Sequence, residues 1–273
     1  YAKEVQPHLF IGVPRIYEKI YSNVKAALDA KAILRILLKI PVISGKIKGK
    51  LKAKIGFAEN RFSITGAAPI NPDILTLFHS LGIPIFEGYG MTEDTAGATL
   101  NYAGNNKIGT VGKPFPGTEM SVAADGELLI RGPHVMKGYY RNPEATADTI
   151  DSDGWLHTGD IAIIDEYGHM SVVDRMKELI KFKGFQVAPA ELEALLTTHP
   201  KIADVAVIGI PDEEAGEIPK AFITVPPGES ITLQEIQVLV SENLVSYKQI
   251  REFEVIDDIP KSASGKILRK DLR

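Results

Sequence analysis

The chain contains no cysteine, which excludes disulfide bonds, thiolate metal ligands and a catalytic thiol. It also has no long apolar run, because the most hydrophobic stretch, residues 32–40, is interrupted by charges and falls short of the ~20 residues that cross a bilayer. The formal net charge of −4 gives no basic excess of the kind that binds nucleic acid. We therefore expect a cytoplasmic protein that does not bind nucleic acid.

The beginning of the chain has no methionine and reaches a buried-strand pattern at residues 8–13. We therefore expect a piece of a longer protein. Its 273 residues, 44% of them hydrophobic, are enough for one or two domains with buried cores.

The next segment predicts a helix and a basic stretch. Pro14 suits the first position of a helix, which we predict over residues 15–38 and expect Pro41 to end. Five lysines then occupy alternate positions and predict a solvated surface loop. The alternative interpretation is attraction to an anionic membrane surface at the cytosolic face. These residues are Lys46, Lys48, Lys50, Lys52 and Lys54.

A strand–helix–strand pattern follows. Residues 61–65 predict a strand that enters a turn of small residues, Asn71 is placed to cap a helix with Pro72 at its first position, and residues 83–86 predict the next strand. So short a crossover implies two parallel strands with a right-handed connection. Ligands of such sheets bind beyond the carboxyl ends of the strands.

From residue 109 onwards the pattern changes to short strands and turns, with a strong hairpin signal at Asp125–Gly126. Pro189 and Thr232 then predict two helix starts, with strands at residues 205–209, 221–225 and 253–256. The predicted fold class is α/β plus α+β, in which a partial parallel-sheet domain with an antiparallel β subdomain precedes a small mobile α+β domain. The predicted boundaries are 1–173 (1–108 α/β, 109–173 mainly β), a hinge at 174, and 175–273.

Residues 87–93 lie at the end of the second predicted parallel strand. Two glycines let backbone approach a ligand closely. Tyr89 offers a flat face for a purine, Thr92 a hydroxyl for a phosphate, and Glu93 a hard oxygen ligand for Mg²⁺. A simple turn without a ligand is the alternative interpretation of this segment.

Three further polar segments carry candidate residues. Asp160 ends the segment from Trp155, and its carboxylate offers two acceptor oxygens; His157 in the same segment has no evident partner and is interpreted as structural. A basic stretch runs from Arg175 towards a glycine, and Lys266 lies on a Ser-rich loop that we expect to be flexible. The alternative for Asp160 is an aspartate that caps a turn. A solvated turn and a frayed basic terminus are the alternatives for the last two segments.

These four segments, in this order, resemble the motifs of adenylate-forming enzymes, the superfamily of acyl-CoA synthetases, luciferases and peptide-synthetase adenylation domains. Within it, the segments around residues 12–19, 61–69 and 126–140 look most similar to long-chain fatty-acyl-CoA synthetases. The resemblance implies ATP or AMP binding by Gly66, Ala67, Ala68, Glu87, Gly88, Tyr89, Thr92, Asp160, Arg175, Gln186 and Lys266, with Asp160 accepting the ribose hydroxyls.

The resemblance also implies roles in the chemistry. Catalysis would fall to Lys266, Thr92 and Glu93, with Glu93 as the Mg²⁺ ligand, and Asp174 would be the hinge. The acyl-adenylate would contact Gly90, Met91, Lys177 and Lys181, and coenzyme A would contact Lys183 and Gly184.

The implied reaction activates a fatty acid with MgATP to acyl-AMP and pyrophosphate, then transfers the acyl group to coenzyme A after rotation about Asp174. Two features depart from the pattern. The turn at residues 66–69 has alanine where many relatives have a second glycine. The phosphate-gripping loop of the superfamily is also missing, which implies an upstream remainder of the large domain as partner and an inactive isolated chain. The alternatives are an acyl-AMP ligase that loads a carrier protein, which the uninterrupted residues 183–185 disfavour, and a non-catalytic module.

Overall fold

The computed structural model describes residues 2–29, 41–262 and 265–273. No helix within these ranges is both long enough and apolar enough to cross a membrane. The chain divides into two compact units. The first comprises Tyr1–Met120, Ile130–Leu156 and Ile164–Ser171, and the second comprises Ser121–Leu129, His157–Ile163 and Val172–Arg273.

A five-stranded sheet belongs to the first unit. Its order is β1 (Leu9–Gly12), β2 (Phe62–Thr65), β3 (Ile85–Tyr89), β4 (Thr99–Leu100) and β5 (Lys113–Pro114). The first three strands are parallel, and the last two pair antiparallel. Thr65 lies opposite Glu87, so the predicted parallel pair is confirmed and the turn after β2 lies beside the segment after β3.

Helices of the first unit begin where proline and capping residues predict. Pro14 and Pro72 are first residues of their helices, and the Asn71 side chain accepts a hydrogen bond from the Asp73 amide at 2.8 Å. The rings of Tyr17 and Phe78 pack edge to face in the core, and burial of each such side chain contributes ~2–3 kcal/mol. The helices are α1 (Ala2–Val5), α2 (Pro14–Asp29), α3 (Pro41–Ile55) and α4 (Pro72–Ser80).

The prediction of a surface loop at the five lysines is wrong, because they lie on α3. Pro41, which was expected to end a helix, begins this one. Leu51 and Ile55 recur one turn apart and pack against the buried core of the first unit. The helix predicted over residues 15–38 is observed as far as Asp29, and its remaining residues lie outside the described ranges.

A four-stranded sheet follows in the order β6 (Glu119–Val122), β7 (Glu127–Arg131), β8 (Leu156–Ile164) and β9 (Met170–Arg175). The predicted hairpin at Asp125–Gly126 is confirmed: Gly126 has a φ of +90°, and the Ala123 amide donates to the Glu127 carbonyl at 2.9 Å. A short helix, α5 (Pro143–Thr149), was not predicted. The Asn142 side chain caps it by accepting from the Ala145 amide.

The second unit has its own sheet and two helices. Strand order is β11 (Phe185–Val187), β10 (Ile180–Phe182), β13 (Gly216–Thr224) and β12 (Asp204–Asp212), with β14 (Glu252–Val255) parallel to β13. The predicted helix starts are confirmed in α6 (Pro189–Leu196) and α7 (Leu233–Asn243), where Thr232 and Glu235 form a capping box. Leu192, Val207 and Ile236 belong to its core, and each is fully buried.

Candidate functional site

The carboxyl ends of β2 and β3 lie side by side and carry the first candidate residues. A side chain at Gly66 would come within 2.9 Å of the Gly88 carbonyl oxygen, so the two turns approach at backbone distance. Ala67 has a φ of +69°, a conformation that costs a residue with a Cβ atom ~1–2 kcal/mol. The two alanines of this turn therefore differ, because Ala67 is strained and exposed whereas Ala68 is half-buried.

Glu87 lies on β3 and is half-buried. Its Oε2 accepts a hydrogen bond from the Gly109 amide at 3.2 Å. Burial raises the pKa of this carboxyl to about 7, and the Gly109 amide opposes the shift. Glu87 is therefore a carboxyl that changes charge near neutral pH, at the strand end where open α/β sheets bind ligands.

The segment after Tyr89 is a tight turn organised around Asp94. Asp94 is fully buried, and its Oδ1 accepts the amides of Met91 and Gly97 at 2.9 and 3.2 Å. A side chain at Gly90 would meet the Ala96 backbone at 2.4 Å, so only glycine fits there. Asp94 was missed from the sequence, because Met91 at the start of the turn is not a residue type that signals a helix cap.

Glu93 projects from this turn and is paired with a residue that sequence reasoning did not connect with it. The Tyr139 hydroxyl donates to Glu93 Oε1 at 2.8 Å, and the Met136 amide donates to the Glu93 carbonyl at 2.7 Å. No cluster of three or more His, Asp or Glu residues suited to a metal occurs among the described residues. One carboxylate nevertheless fits Mg²⁺, which keeps several waters and binds through one or two carboxylates together with substrate phosphates.

In the second unit, Asp160 lies on β8 beside Arg175. Asp160 is buried, and its Oδ1 is 3.2 Å from Arg175 Nε. The Asp160 amide donates to Thr158 Oγ1 at 3.1 Å, and that hydroxyl donates to the Leu128 carbonyl on β7. Asp160, whose carboxylate is predicted to accept hydroxyls, is thus held in place through both its backbone amide and its side chain.

The interpretation that His157 has no partner is wrong. Its Nδ1 lies 2.7 Å from Glu127 Oε2, and Glu127 Oε1 accepts the Gly159 amide at 2.8 Å. Gly159 has a φ of +68° inside β8, so its amide turns to the buried Glu127 carboxylate. The contact joins residues about thirty positions apart, which explains why sequence pattern did not find it.

Lys266 lies close enough to Asp160 and Arg175 to be affected by their charges. Its side chain is largely exposed, yet partial burial lowers its pKa; Arg175 and Lys177 lower it further, and Asp160 opposes them. The second unit therefore brings four predicted residues into one charged cluster. This arrangement can stabilise negative charge that develops on a phosphate beside a bound ribose.

Backbone hydrogen bonds join the two arms of the loop that carries Lys266. The Leu268 amide donates to the Pro260 carbonyl at 2.8 Å, and the Ser262 amide donates to the Lys266 carbonyl at 2.8 Å. Both arms of the loop are therefore hydrogen-bonded to each other. Residues 263 and 264 lie outside the described ranges.

The remaining candidates of the basic stretch lie on the β10–β11 hairpin. Lys183 and Gly184 form its two-residue turn, with φ values of +48° and +82°, as a type I′ turn requires. Lys181 lies opposite Gln186 across the strands, and all four residues are exposed. They share one hairpin, whereas the Lys266 cluster is built from β8, β9 and the C-terminal loop.

Asp174 precedes Arg175 at the end of β9 and is buried. Its Oδ1 accepts the Arg175 amide at 2.7 Å, and its Oδ2 accepts the Ala190 amide at the start of α6 at 2.8 Å. Burial raises the pKa of Asp174, while these two amides and Arg269 oppose the shift. The predicted hinge residue is therefore bonded to the helix that follows the basic stretch.

The fold is that of the adenylate-forming superfamily, as are the two groups of candidate residues, one after β2 and β3 and the other around Asp160. The sequence profile of the AMP-binding enzyme family matches residues 1–140, and that of the AMP-binding enzyme C-terminal domain matches residues 191–266. The chain belongs to the AMP-binding enzyme family.

Named relatives agree with this assignment. 4-Coumarate–CoA ligase-like 4 of Oryza sativa subsp. japonica is 47% identical over 224 residues, covering 77% of this chain and 41% of the relative. Peroxisomal OPC-8:0-CoA ligase 1 of Arabidopsis thaliana is 45% identical over 224 residues, with the same two coverages. The crystal structure of ATP-bound MatB from Rhodopseudomonas palustris superposes with a TM-score of 0.81 at 28% identity, covering 99% of this chain and 52% of that chain. The chain thus spans about half, or less, of the length of these proteins.

Proposed function

We propose that this chain is the C-terminal part of an ATP-dependent acid–CoA ligase. The cluster of Lys266, Arg175 and Lys177 around the buried Asp160 carries the proposal. A substrate carboxylate would attack the α-phosphate of ATP, forming an acyl–phosphate bond and releasing pyrophosphate. The thiol of coenzyme A would then attack the acyl carbonyl, lose its proton, and release AMP.

Asp160 is suited to the ribose of the nucleotide. A carboxylate has two acceptor oxygens and can take both hydroxyls of a vicinal diol. Arg175 Nε already lies 3.2 Å from one of these oxygens, so the guanidinium would hold the carboxylate in its orientation. The Lys266 ammonium would then be a mobile point charge for the α-phosphate and the leaving pyrophosphate.

Glu93 is the residue of this chain that we propose to bind Mg²⁺. When bound, the ion would neutralise charge on the phosphates of ATP. The Tyr139 hydroxyl, 2.8 Å from Glu93 Oε1, would fix the direction of the carboxylate. Thr92, exposed at the start of the same turn, would donate its hydroxyl to a phosphate oxygen, and Tyr89 would lie against the purine.

The β10–β11 hairpin is the proposed coenzyme A side. Lys183 and Gly184 form its exposed turn, where a cation and an uncovered backbone can meet an anionic, extended substrate. Lys181 and Gln186 lie opposite each other behind the turn. We propose that rotation near Asp174 exchanges this hairpin for Lys266 between the two half-reactions.

The acid is proposed to be an apolar carboxylate. The motif resemblance favours a long-chain fatty acid, whereas the relatives carry the names of ligases for 4-coumarate and OPC-8:0. Long-chain fatty acid is therefore the finer hypothesis, with the acids named for the relatives, 4-coumarate and OPC-8:0, as the competing ones.

The proposed location is the cytoplasm. On α3 the exposed Lys46, Lys50 and Lys54 recur at intervals of four residues and so share one face. Such a face supports peripheral contact with an anionic membrane surface, at about 1 kcal/mol per lysine. On β1, Leu9 and Ile11 are more than half exposed, which supports the upstream remainder of the large domain as a partner.

The test is made on the ligase that contains this chain. Pyrophosphate exchange with ATP is measured for palmitate, 4-coumarate and OPC-8:0, and acyl-CoA is quantified by mass spectrometry. We expect exchange to depend on the acid and on Mg²⁺, and thioester to appear only with coenzyme A. Acid-dependent exchange with transfer to a carrier protein but not to coenzyme A would identify the carrier-loading alternative, and the absence of exchange with any acid would favour a non-catalytic module.

A further inference from the structure

A largely buried ion pair lies outside the residues assigned to nucleotide, acid or coenzyme A. It joins Glu193 on α6 to Arg269, three residues after Lys266. Arg269 Nη2 is 2.8 Å from both carboxylate oxygens of Glu193, and the two side chains are only 12% and 13% exposed. Arg269 Nε also donates to the Val207 carbonyl at 3.1 Å, while the Val207 amide donates to Glu193 Oε1 at 2.8 Å. One arginine therefore bonds a helix and a strand at the same time.

The other arm of the Lys266 loop is attached to the same strand. Lys261 Nζ is 2.5 Å from Asp204 Oδ2 at the start of β12, and Val207 lies three residues further along that strand. Residues 261 and 267 form an isolated β-bridge between the arms. The backbone that carries Lys266 is thus fastened to β12 on both sides, by Lys261 before it and by Arg269 after it.

α6 receives the hinge carboxylate as well. The Asp174 Oδ2 accepts the Ala190 amide at 2.8 Å, one turn before Glu193 on the same helix. Asp174 is buried and Glu193 is largely buried, and Arg269 is the cation whose charge opposes the burial-induced rise in the pKa of each. Strand β9, which leads into the basic stretch, is therefore bonded to α6, and so is the loop that carries Lys266.

These contacts suit an arginine and not a lysine. The pairing with both oxygens of Glu193 and the simultaneous bond to a carbonyl need several N–H donors in a rigid fork, whereas an ammonium is a compact charge at the end of a flexible chain. A residue required only for charge balance would tolerate lysine. A residue required for direction would not.

We propose that Arg269 is a positioning residue for Lys266, fixing the loop to α6 and β12 so that the Lys266 ammonium is presented beside Asp160 and Arg175. The inference rests on the proposed adenylation function, and it adds a residue that touches neither substrate. Its expected consequence is selective: adenylation needs Lys266 in place, and transfer to coenzyme A does not.

The first experiment is a double-mutant cycle in the ligase that contains this chain. Arg269→Lys is expected to slow acid-dependent pyrophosphate exchange about tenfold or more, and to change thioester formation from supplied acyl-AMP by less than about twofold. In a Lys266→Ala background the same substitution is expected to cause no further loss, because the group it positions is gone. Arg273→Ala, which breaks the exposed pair with Glu178, is the matched control and should leave both half-reactions unchanged.

The second measurement needs no activity and uses the 273-residue chain. Amide hydrogen exchange at Leu268, which donates to the Pro260 carbonyl, should accelerate at least tenfold in Arg269→Lys and remain unchanged in Arg273→Ala. If Arg269→Lys does not fold, Glu193→Gln takes its place in this measurement. It removes the charge of the partner carboxylate and should accelerate exchange at Leu268 in the same way.

The outcomes separate this inference from the proposed function. Arg269 would support only the fold of the second unit under any of three results. The rate losses of the two substitutions add in the cycle, both half-reactions slow equally, or hydrogen exchange at Leu268 is unchanged. If Lys266→Ala leaves adenylation intact, the proposed role of Lys266 fails, and the positioning role of Arg269 fails with it.

Discussion

Lys266 shows how single residues in this chain acquire their chemistry from distant neighbours. Its position after a glycine in a Ser-rich loop could be predicted from the sequence, and its role followed from a resemblance. Its surroundings could not be predicted, because Asp160 and Arg175 lie about a hundred residues earlier in the chain. The same holds for His157, whose partner Glu127 is on the neighbouring strand. Sequence pattern identifies residue types and local geometry, whereas long-range pairs depend on which strands become neighbours.

We predict that Lys266→Ala slows adenylation strongly and leaves transfer from supplied acyl-AMP nearly intact. Removing one electrostatic donor to a developing charge costs ~3–4 kcal/mol, or 10²–10³-fold in rate. Pyrophosphate exchange and thioester formation would be measured separately in the ligase that contains this chain. Lys270→Ala, an exposed lysine of the same tail, is the control. Equal loss in the two half-reactions would remove Lys266 from the phosphate chemistry.

We predict that Glu87 makes the stability of this chain depend on pH. Its pKa is raised from 4.5 to about 7 in the folded protein, so between these values the folded state retains a proton that the unfolded state has lost. Its contribution to stability is therefore complete below about pH 4 and is lost as the pH rises through about 7. Glu87→Gln, which cannot ionise, should gain on the order of 2 kcal/mol relative to the parent between pH 5 and pH 8.

Denaturant unfolding of the 273-residue chain at the two pH values measures this difference. Glu59→Gln changes an exposed glutamate of the first unit and should follow the parent at both pH values. A Glu87→Gln variant whose stability runs parallel to that of the parent across this range would mean that Glu87 is ionised at pH 5 in the folded chain.

At the scale of elements, the sequence predicted well where a local rule dominates. Pro14, Pro72 and Pro189 each begin a helix because a proline at the first position gives up no helical hydrogen bond, and Thr232 caps α7 by the expected capping box. Pro41 obeys the same rule, although its sequence context favoured a helix end. The spacing of Ile47, Leu51 and Ile55 predicts α3, but the alternating lysines obscured it.

We predict that the turn of the β10–β11 hairpin has separable effects on stability and on coenzyme A. Gly184 has a φ of +82°, so Gly184→Leu should destabilise the second unit by ~1–2 kcal/mol. It should also raise the apparent KM for coenzyme A about tenfold, because a branched side chain would occupy the exposed turn. Thermal unfolding and steady-state kinetics give the two values.

Gly228 provides the matched control for this turn. It is exposed and has a φ of +83°, and a Cβ atom added there would have no neighbour within 4 Å, as is also true of Gly184. Gly228→Leu should therefore lose similar stability and leave the KM for coenzyme A unchanged. If both variants raise that KM equally, the effect is one of general strain and the hairpin has no special place in coenzyme A binding.

At the scale of the whole molecule, the second unit should fold without the first. Its main core is built from residues between Ile180 and Ile250 alone, and Asp174 is bonded to α6 within the same unit. We predict that residues 172–273 form a cooperatively folded domain, because every buried residue of that core lies within this range and burial of apolar surface is the dominant favourable contribution to folding. Val207→Asp would place a charge at a fully buried position of that core and should abolish the transition. Circular dichroism during urea unfolding is measured for residues 172–273 and for the Val207→Asp variant. A gradual, non-cooperative change in residues 172–273 would mean that the fold of this unit depends on the segments at 121–129 and 157–163.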